Sequence, residues 1–238
     1  MEPDFVCAAG IDVETGRHVR PIQNRRLRVV DCATLGGPYD IGTVLEFSRT
    51  RARPEPPEVE DHEYMVQALQ PVGRLAAEEF WNVLVVAAGD RLQKIFGREL
   101  RRVRDTCATA RGRGIASLGC VWPTQIVDIA VSRRRDLFGE HDSIRIELMM
   151  ARSRFRFPVT DLRLFQLDEQ RVNWMVNQPA LDSITGRIQR NVPVILSVGL
   201  SRAWQRRGET GPRHWLQVNN IHLADDPLWS VAPDSTHR

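Results

Sequence analysis

The strongest hydrophobic pattern is a pair of apolar, β-rich runs near the C-terminal end of the chain. The runs are VPVILSVGLSRAW, residues 192–204, and WLQVNNIHL, residues 215–223, and the polar loop QRRGETGPRH separates them. Two such runs around a loop with glycine predict a long β-hairpin. Polar or aromatic groups interrupt the apolar pattern at Ser197, Ser201, Trp204, Trp215, Gln217, Asn219 and Asn220. Because strand packing does not require so many such groups, we interpret the hairpin as a ligand-binding surface.

A second hairpin is predicted at the start of the chain. FVCAAGI, residues 5–11, and HVRPI, residues 18–22, are extended in pattern and flank the turn DVETG. Gly16 closes this turn and supplies the positive φ that a tight hairpin needs.

A helical pattern occupies about residues 72–97. Apolar side chains recur there at helical spacing, namely Leu75, Phe80, Leu84 and Ala87. Residues 98–113 carry six arginines and few large apolar side chains. They predict a mobile basic connector, or a helix end, between two halves of the chain. A further helix is predicted at about Asp168–Met175, and any extension of it ends where Pro179 interrupts it.

The second half otherwise alternates as strands do, for example in SIRIELMM, residues 143–150, and RSRFRF, residues 152–157. Many short strands, frequent turns and few helices predict a mainly β, α+β fold of barrels or sandwiches. Helices between two β-rich halves predict two small β-barrels packed together. The first barrel would span residues 1–113, with the helical insertion and the Arg-rich connector, and the second 114–238.

Composition excludes several classes of protein. A hydrophobic content of 42% with 26% charged residues is ordinary for a globular protein. No apolar run approaches the roughly 18 residues that span a bilayer, and the N-terminus lacks a basic signal-peptide region, so we expect a cytoplasmic protein without a membrane partner. The net charge of +3 favours a polyanion partner only weakly.

The cysteines and glycines form no cofactor motif. Cys7, Cys32, Cys107 and Cys120 stand alone, without a Cys-x-x-Cys pair. The chain also lacks a Gly-x-Gly-x-x-Gly run and a P-loop, which argues against nucleotide-cofactor, NTPase and zinc-hydrolase classes. We therefore predict no metal and no cofactor.

Two rows of side chains are candidates for ligand contact. Arg152, Arg154 and Arg156 are predicted to face one side of a strand, as phosphate contacts or as a solvated face. Trp215, Gln217 and Asn219 are predicted to share a face, as a stacking plane with two amides, or as an interior polar network.

Two pairs of charged or titratable residues each have a functional and a structural interpretation. His18 and Arg20 project from one strand face, so Arg20 is either an anion-binding group or the partner of an acid such as Asp12 or Asp161. Asp161 and Arg163 also share a face, and Asp161 either orients an arginine, acts as a general base, or caps a strand-end turn.

A catalytic interpretation joins Cys7, His18 and Asp161. A cysteine across a hairpin from His18 can form a Cys–His nucleophile that Asp161 orients. Glu60 completes the pool of candidate acid–base groups. The alternatives are a buried cysteine and a solvated acidic loop around Glu60.

Three segments together resemble a known bacterial family. They are CAAGIDVETGRHVRPI, FPVTDLRL and VILSVGLSRAW with HWLQVNNIH, and they are similar to proteins described as dual OB-containing. The resemblance implies two OB-like barrels, a fold whose β face commonly binds single-stranded nucleic acid or oligosaccharides. It implies no settled catalytic role, and it suggests mobile or defence-type bacterial loci.

The leading hypothesis is therefore an accessory protein that binds nucleic acid, single-stranded or modified, in a bacterial defence or DNA-modification system. The candidate ligand-binding residues are Arg20, Arg152, Arg154, Arg163, Ser197, Ser201, Arg202, Trp204, Trp215, Gln217, Asn219 and Asn220. One alternative is an enzyme acting on a nucleotide or modified base. The other is a scaffold that recruits proteins of the same locus.

Overall fold

The computed structural model describes residues 6–23, 27–28, 31–32, 37–136, 139–168, 173–206 and 208–229. These ranges are mostly β-structure with three α-helices, which confirms the mainly β prediction. The strands are β1 (Gly10–Ile11), β2 (His18–Ile22), β3 (Thr43–Phe47), β4 (Thr50–Ala52), β5 (Asp61–Tyr64), β6 (Leu69–Arg74), β7 (Ala88–Gly89), β8 (Arg101–Val103), β9 (Thr106–Ala110), β10 (Leu118–Val121), β11 (Gln125–Asp136), β12 (Gly139–Met150), β13 (Ser153–Val159), β14 (Phe165–Asp168), β15 (Asn173–Val176), β16 (Val194–Leu200) and β17 (Arg213–Leu223). The helices are α1 (Ala77–Ala87), α2 (Leu92–Phe96) and α3 (Gln178–Gln189).

The first half of the chain forms two small sheets. One has the strand order β1-β2-β5-β4, and the other pairs β3 with β6. The predicted opening hairpin is confirmed, because β1 and β2 pair antiparallel. Its turn is held by the Asp12 carboxylate, which accepts hydrogen bonds of 2.9 Å from the backbone N–H groups of Glu14 and Thr15. Gly16 has φ +68°, as the turn requires.

The main sheet follows the order β11-β12-β13-β17-β16-β10-β7. β16 and β17 pair antiparallel, which confirms the long hairpin predicted from residues 192–223. A bulge between Ser197 and Val198 shifts their register. β17 also pairs with β9, which in turn pairs with β8.

The core lies on both faces of the main sheet. Successive strand residues point to opposite faces, so Leu196 joins a large cluster with α2 and α3, while Ile195 joins a smaller one beneath α1. Phe96 of α2 and Ile184 of α3 anchor the helices in the large cluster. Leu84 of α1 anchors the smaller one.

The prediction of a mobile connector or helix end at residues 98–113 is wrong, because this segment contains the hairpin β8–β9. Its second strand, TCATA, is made of small or β-branched residues that are buried as far as Thr109. Such side chains suit a strand enclosed on both sides, although they carry little hydrophobic signal. The hairpin adds to β17, so strands from before residue 113 belong to the main sheet. The division into domains at residue 113 remains a prediction.

The helix predicted at Asp168–Met175 is also wrong where the structure describes it, because Asp168 ends β14 and Asn173–Met175 lie in β15, while residues 169–172 are outside the described residues. Phe165 and Leu167 alternate with polar residues, and the segment forms β14 paired with β15. The helix begins later, at Gln178, and Pro179 lies in its first turn. A proline is tolerated there because the first N–H groups of a helix have no intrahelical partner.

Within the described ranges the strands form open sheets, and their closure into two barrels remains a prediction. No helix in the described part of the chain is both long and apolar enough to cross a membrane.

Candidate nucleic-acid interface

Two hairpins that pack against each other, β8–β9 and β12–β13, together carry six arginines. The hairpin β8–β9 packs end-on against β13, where the backbone N–H of Arg156 donates to the carbonyl of Asp105 at 2.6 Å. Arg102 ties the hairpins together, because its Nη2 donates to the Arg154 carbonyl at 2.9 Å. Its guanidinium also lies 5.1 Å from the centre of the Phe155 ring. We call this set the arginine surface: Arg101, Arg102, Arg104, Arg152, Arg154 and Arg156.

The arginine surface is open to solvent and carries a positive excess. Its members are exposed except for Arg156, which is half-buried. On β13, Phe155 and Phe157 point into the core, so Arg154 and Arg156 point outward. Within the described residues, Arg154 is the one member with a carboxylate partner, Glu147, and its side chain is still 63% exposed. Arg102 is engaged with two backbone carbonyls and Arg154 with Glu147. The other guanidinium groups are available for anions, which arginine can bind in a bidentate manner.

The predicted row of three arginines on one strand needs a correction at Arg152. β13 begins at Ser153, and Ala151 and Arg152 form the two-residue turn between β12 and β13. Both turn residues have positive φ, 45° and 66°. Two-residue hairpins favour such turns because their twist matches that of the strands. Arg152 therefore lies at the tip of the hairpin, while Arg154 and Arg156 form the row on the strand.

Trp204 of the loop between β16 and β17 forms a pair with Trp215 of β17, and an arginine caps the pair. Trp215 is only 2% exposed, and its indole N–H donates to the Trp204 carbonyl at 3.2 Å. The Arg206 guanidinium lies 3.6 Å from the centre of the Trp215 ring. Trp204 is 49% exposed. The stacking plane predicted at Trp215 is therefore covered, and Trp204 presents the open aromatic surface.

The polar residues of the long hairpin mostly bond to one another. Gln217 Nε2 donates to Asn219 Oδ1 at 3.1 Å, and the Thr160 hydroxyl lies 3.4 Å from the same oxygen. Gly199 makes room for this amide, because a Cβ there would lie 2.5 Å from Asn219 Nδ2. Ser201 Oγ accepts the Trp215 backbone N–H at 3.0 Å. Asn220 is half-buried opposite Ser197. These contacts agree with the alternative that the row of Trp215, Gln217 and Asn219 belongs to an interior polar network.

A family model described as the dual OB-containing domain matches residues 2–221, nearly the whole chain. The chain belongs to the dual OB-containing domain family. The resemblance noted from the three sequence segments is thereby confirmed. No curated protein and no solved structure matches this dual OB-containing protein.

In this dual OB-containing protein, Asp161 and Arg163 form a buried anchor for the C-terminal segment. Asp161 accepts from Arg163 Nε at 2.9 Å and Nη2 at 2.7 Å, and from the Ile221 backbone N–H at 3.0 Å. Arg163 also donates to the Trp229 carbonyl and lies 3.7 Å from the centre of the Trp229 ring. In the described residues, Asp161 and Arg163 thus bond to each other and to the C-terminal segment. This agrees with a structural role for the pair.

Arg20 joins the first half of the chain to the main sheet. Its Nε donates to Asp61 at 2.6 Å and its Nη2 to the Ser117 hydroxyl at 3.0 Å, with Glu58 at 3.8 Å. Its acidic partners come from β5 and the loop before it, not from Asp12 or Asp161. Arg20 thus has the acidic partners that a structural role requires. Arg202 is 83% exposed and lies 3.9 Å from Glu58.

The candidate catalytic groups do not converge in the described contacts. Cys7 is exposed, and the thiol next to His18 belongs to Cys120, with 3.6 Å between Sγ and Nε2. Burial raises the pKa of the Cys120 thiol to about 11 and lowers the pKa of His18. A thiol with so high a pKa stays protonated at neutral pH, and protonated thiols are poor nucleophiles.

Sequence reasoning missed the chain of polar contacts around Cys120. Ser197 Oγ lies 3.7 Å from the Cys120 sulfur and 3.0 Å from His222 Nε2. These residues come from three different strands, so no local spacing could have indicated the cluster. The described residues contain no group of three or more His, Cys, Asp or Glu that could hold a metal.

Proposed function

We propose that this dual OB-containing protein binds nucleic acid through the arginine surface. The observation that carries the proposal is the packing of the β8–β9 hairpin against β13, which adds Arg101, Arg102 and Arg104 to the arginines of β12–β13. A cluster of outward arginines, not the modest net charge, is what a phosphate backbone contacts.

OB-folds commonly bind single-stranded nucleic acid along a positively charged groove with aromatic side chains nearby. The family membership therefore supports the proposal independently of the arginine surface. The suggested accessory role in a bacterial defence or DNA-modification system rests on the family resemblance alone.

The test is fluorescence-anisotropy binding to labelled single-stranded DNA, RNA and duplex across about 50–300 mM salt. The variant Arg101→Gln/Arg104→Gln/Arg152→Gln removes three exposed charges whose side chains have no carboxylate partner in the described residues. We expect weaker binding and a logarithmic salt slope that is shallower by about 2, because each single-strand contact contributes about 0.7.

The matched control is Arg17→Gln/Arg49→Gln/Arg51→Gln, which removes the same charge from exposed positions in the first half of the chain. It should bind like the wild type. Equal losses in both triple variants would mean that net charge alone drives binding. No binding of any nucleic acid by the wild-type protein would refute the proposed function.

A further inference from the structure

Hydrogen bonds fix the backbone of the loop between β16 and β17 at an exposed aromatic residue. The backbone of Trp204 exchanges two hydrogen bonds with Arg213, of 3.0 and 3.1 Å, and its carbonyl accepts the Trp215 indole N–H. Three hydrogen bonds thus restrain a residue whose side chain is half exposed. A residue with a restrained backbone loses less conformational freedom when a planar ligand stacks on its ring.

A guanidinium group lies beside this ring, and a second arginine is near it in sequence. The Arg206 guanidinium lies 5.4 Å from the centre of the Trp204 ring while it covers Trp215. Arg202 is two residues away and almost fully exposed. An aromatic plane beside guanidinium groups is the combination that binds a base together with its phosphate.

The exposed ring is connected to the arginine surface along β9. Arg104 and Asp105 form the turn before this strand, and at its other end Ala110 pairs with Arg213, the backbone partner of Trp204. Asp105 and Ala110 are five positions apart, or about 17 Å at the usual rise of a strand. Arg111 and Arg113 are exposed directly after β9. This span lies within the reach of about 4–16 nucleotides that one OB-fold covers.

We infer that Trp204 stacks an unpaired base of the nucleic acid whose phosphates contact the arginine surface. The inference rests on the proposed function and specifies its ligand class as single-stranded nucleic acid. Bases of a duplex already stack on their neighbours, so they cannot offer a face to the ring without being unstacked. Trp204 is thus a base-binding residue, separate from the phosphate contacts of the two hairpins.

The experiment compares Trp204→Ala and Trp204→Phe with the wild type. The probes are fluorescein-labelled oligothymidine of about 12 nucleotides, an abasic oligonucleotide of the same length, and a duplex. Trp204→Ala should weaken oligothymidine binding by about 5- to 150-fold, the range of one base–aromatic stack, and Trp204→Phe by less. Binding of the abasic probe and the duplex should not change. The control Trp122→Ala removes another exposed tryptophan, which packs edge-on against Trp81, and should bind oligothymidine like the wild type.

Two results would contradict base stacking on Trp204 without contradicting nucleic-acid binding by the arginine surface. One is wild-type affinity of Trp204→Ala for oligothymidine, together with weakened binding by the triple arginine variant. The other is an equal loss with the abasic probe, because a probe without bases has nothing to stack. If the wild-type protein binds none of the probes, the proposed function fails and this inference fails with it.

Discussion

His222 shows how a single buried side chain controls the response of the fold to pH. Its Nδ1 faces the Pro227 carbonyl at 3.4 Å, so Nε2 is left to accept the Ser197 hydroxyl at 3.0 Å. The Phe80 ring packs edge-on at 5.4 Å. Burial, reinforced by the nearby Arg163 charge, lowers the pKa of His222 to about 4. The imidazole is therefore neutral in the native state.

We expect the free energy of unfolding to fall as the pH drops from about 6.5 towards 4. Below the usual histidine pKa of about 6.5, the unfolded chain binds a proton at His222 that the native state refuses, so acid favours unfolding. His222 alone should lower the free energy of unfolding by about 2 kcal/mol between pH 7 and pH 5. Urea unfolding of the wild type and His222→Gln at these two pH values measures the difference.

The glutamine variant can still bond to Ser197 and Pro227 but cannot titrate. His18 contributes in the same direction, because burial also lowers its pKa, so a smaller pH dependence should remain. An unchanged pH dependence in His222→Gln would contradict the assignment.

Residue-level predictions from sequence succeed where the partner is local. The Asp12 turn and Gly16 belong to one short segment, and both are placed as expected. The expected neighbour of His18 was Cys7, across the hairpin, but the thiol that contacts it is Cys120, 102 positions away. Contacts over such a separation depend on strand order, which a local pattern does not contain.

At the scale of elements, α3 depends on its N-cap. Asn177 precedes the helix, and its side-chain oxygen accepts the backbone N–H of Ala180 at 3.2 Å. Pro179 lies in the first turn of the helix, with a fixed φ and without an N–H that would lack a partner. The same proline was predicted to interrupt a helix. A proline is favoured in the first turn of a helix and breaks a helix interior, and here the capping Asn177 before it places it in the first turn.

Asn177→Ala should therefore lower the free energy of unfolding by about 1 kcal/mol, because the Ala180 N–H loses its acceptor. Asn177→Ser keeps an acceptor and should be close to the wild type. Urea unfolding monitored by circular dichroism tests both variants. Equal stability of the alanine variant and the wild type would show that the cap contributes nothing to the fold.

The hairpin β8–β9 is an element that sequence composition hides. Arginines dominate its sequence, so composition predicts a solvated connector, yet Cys107 and Ala108 are buried beside β17. Small residues give a weak hydrophobic signal even when both faces of a strand are covered. The arginine surface could be predicted as two separate basic segments, but their juxtaposition comes only from the packing of this hairpin.

At the scale of the whole molecule, a buried carboxylate joins the small first sheet to the main sheet. Glu60 precedes β5, and its side chain accepts the backbone N–H groups of Ser117 and Leu118 and the Ser117 hydroxyl. The Ser117 hydroxyl also accepts from Arg20 of β2. Sequence analysis placed Glu60 in an acidic loop and considered it for catalysis, because nothing local indicates a partner 57 positions away.

Glu60→Ala should loosen this junction, since it leaves two backbone donors and one hydroxyl without their acceptor. Unsatisfied buried donors of this kind cost about 1–3 kcal/mol each, and not additively, so we expect a loss of about 2–4 kcal/mol. Hydrogen exchange should quicken in β2, β5 and β10 more than in β12 and β13, which lie away from the junction. Glu60→Gln retains an acceptor and should recover part of the loss.

Glu63→Ala is the matched control, because Glu63 pairs with Arg53 at the surface, where an ion pair contributes about 0–1 kcal/mol. If exchange rose evenly over all the strands, Glu60 would stabilise the fold as a whole and would not be a specific link between the sheets.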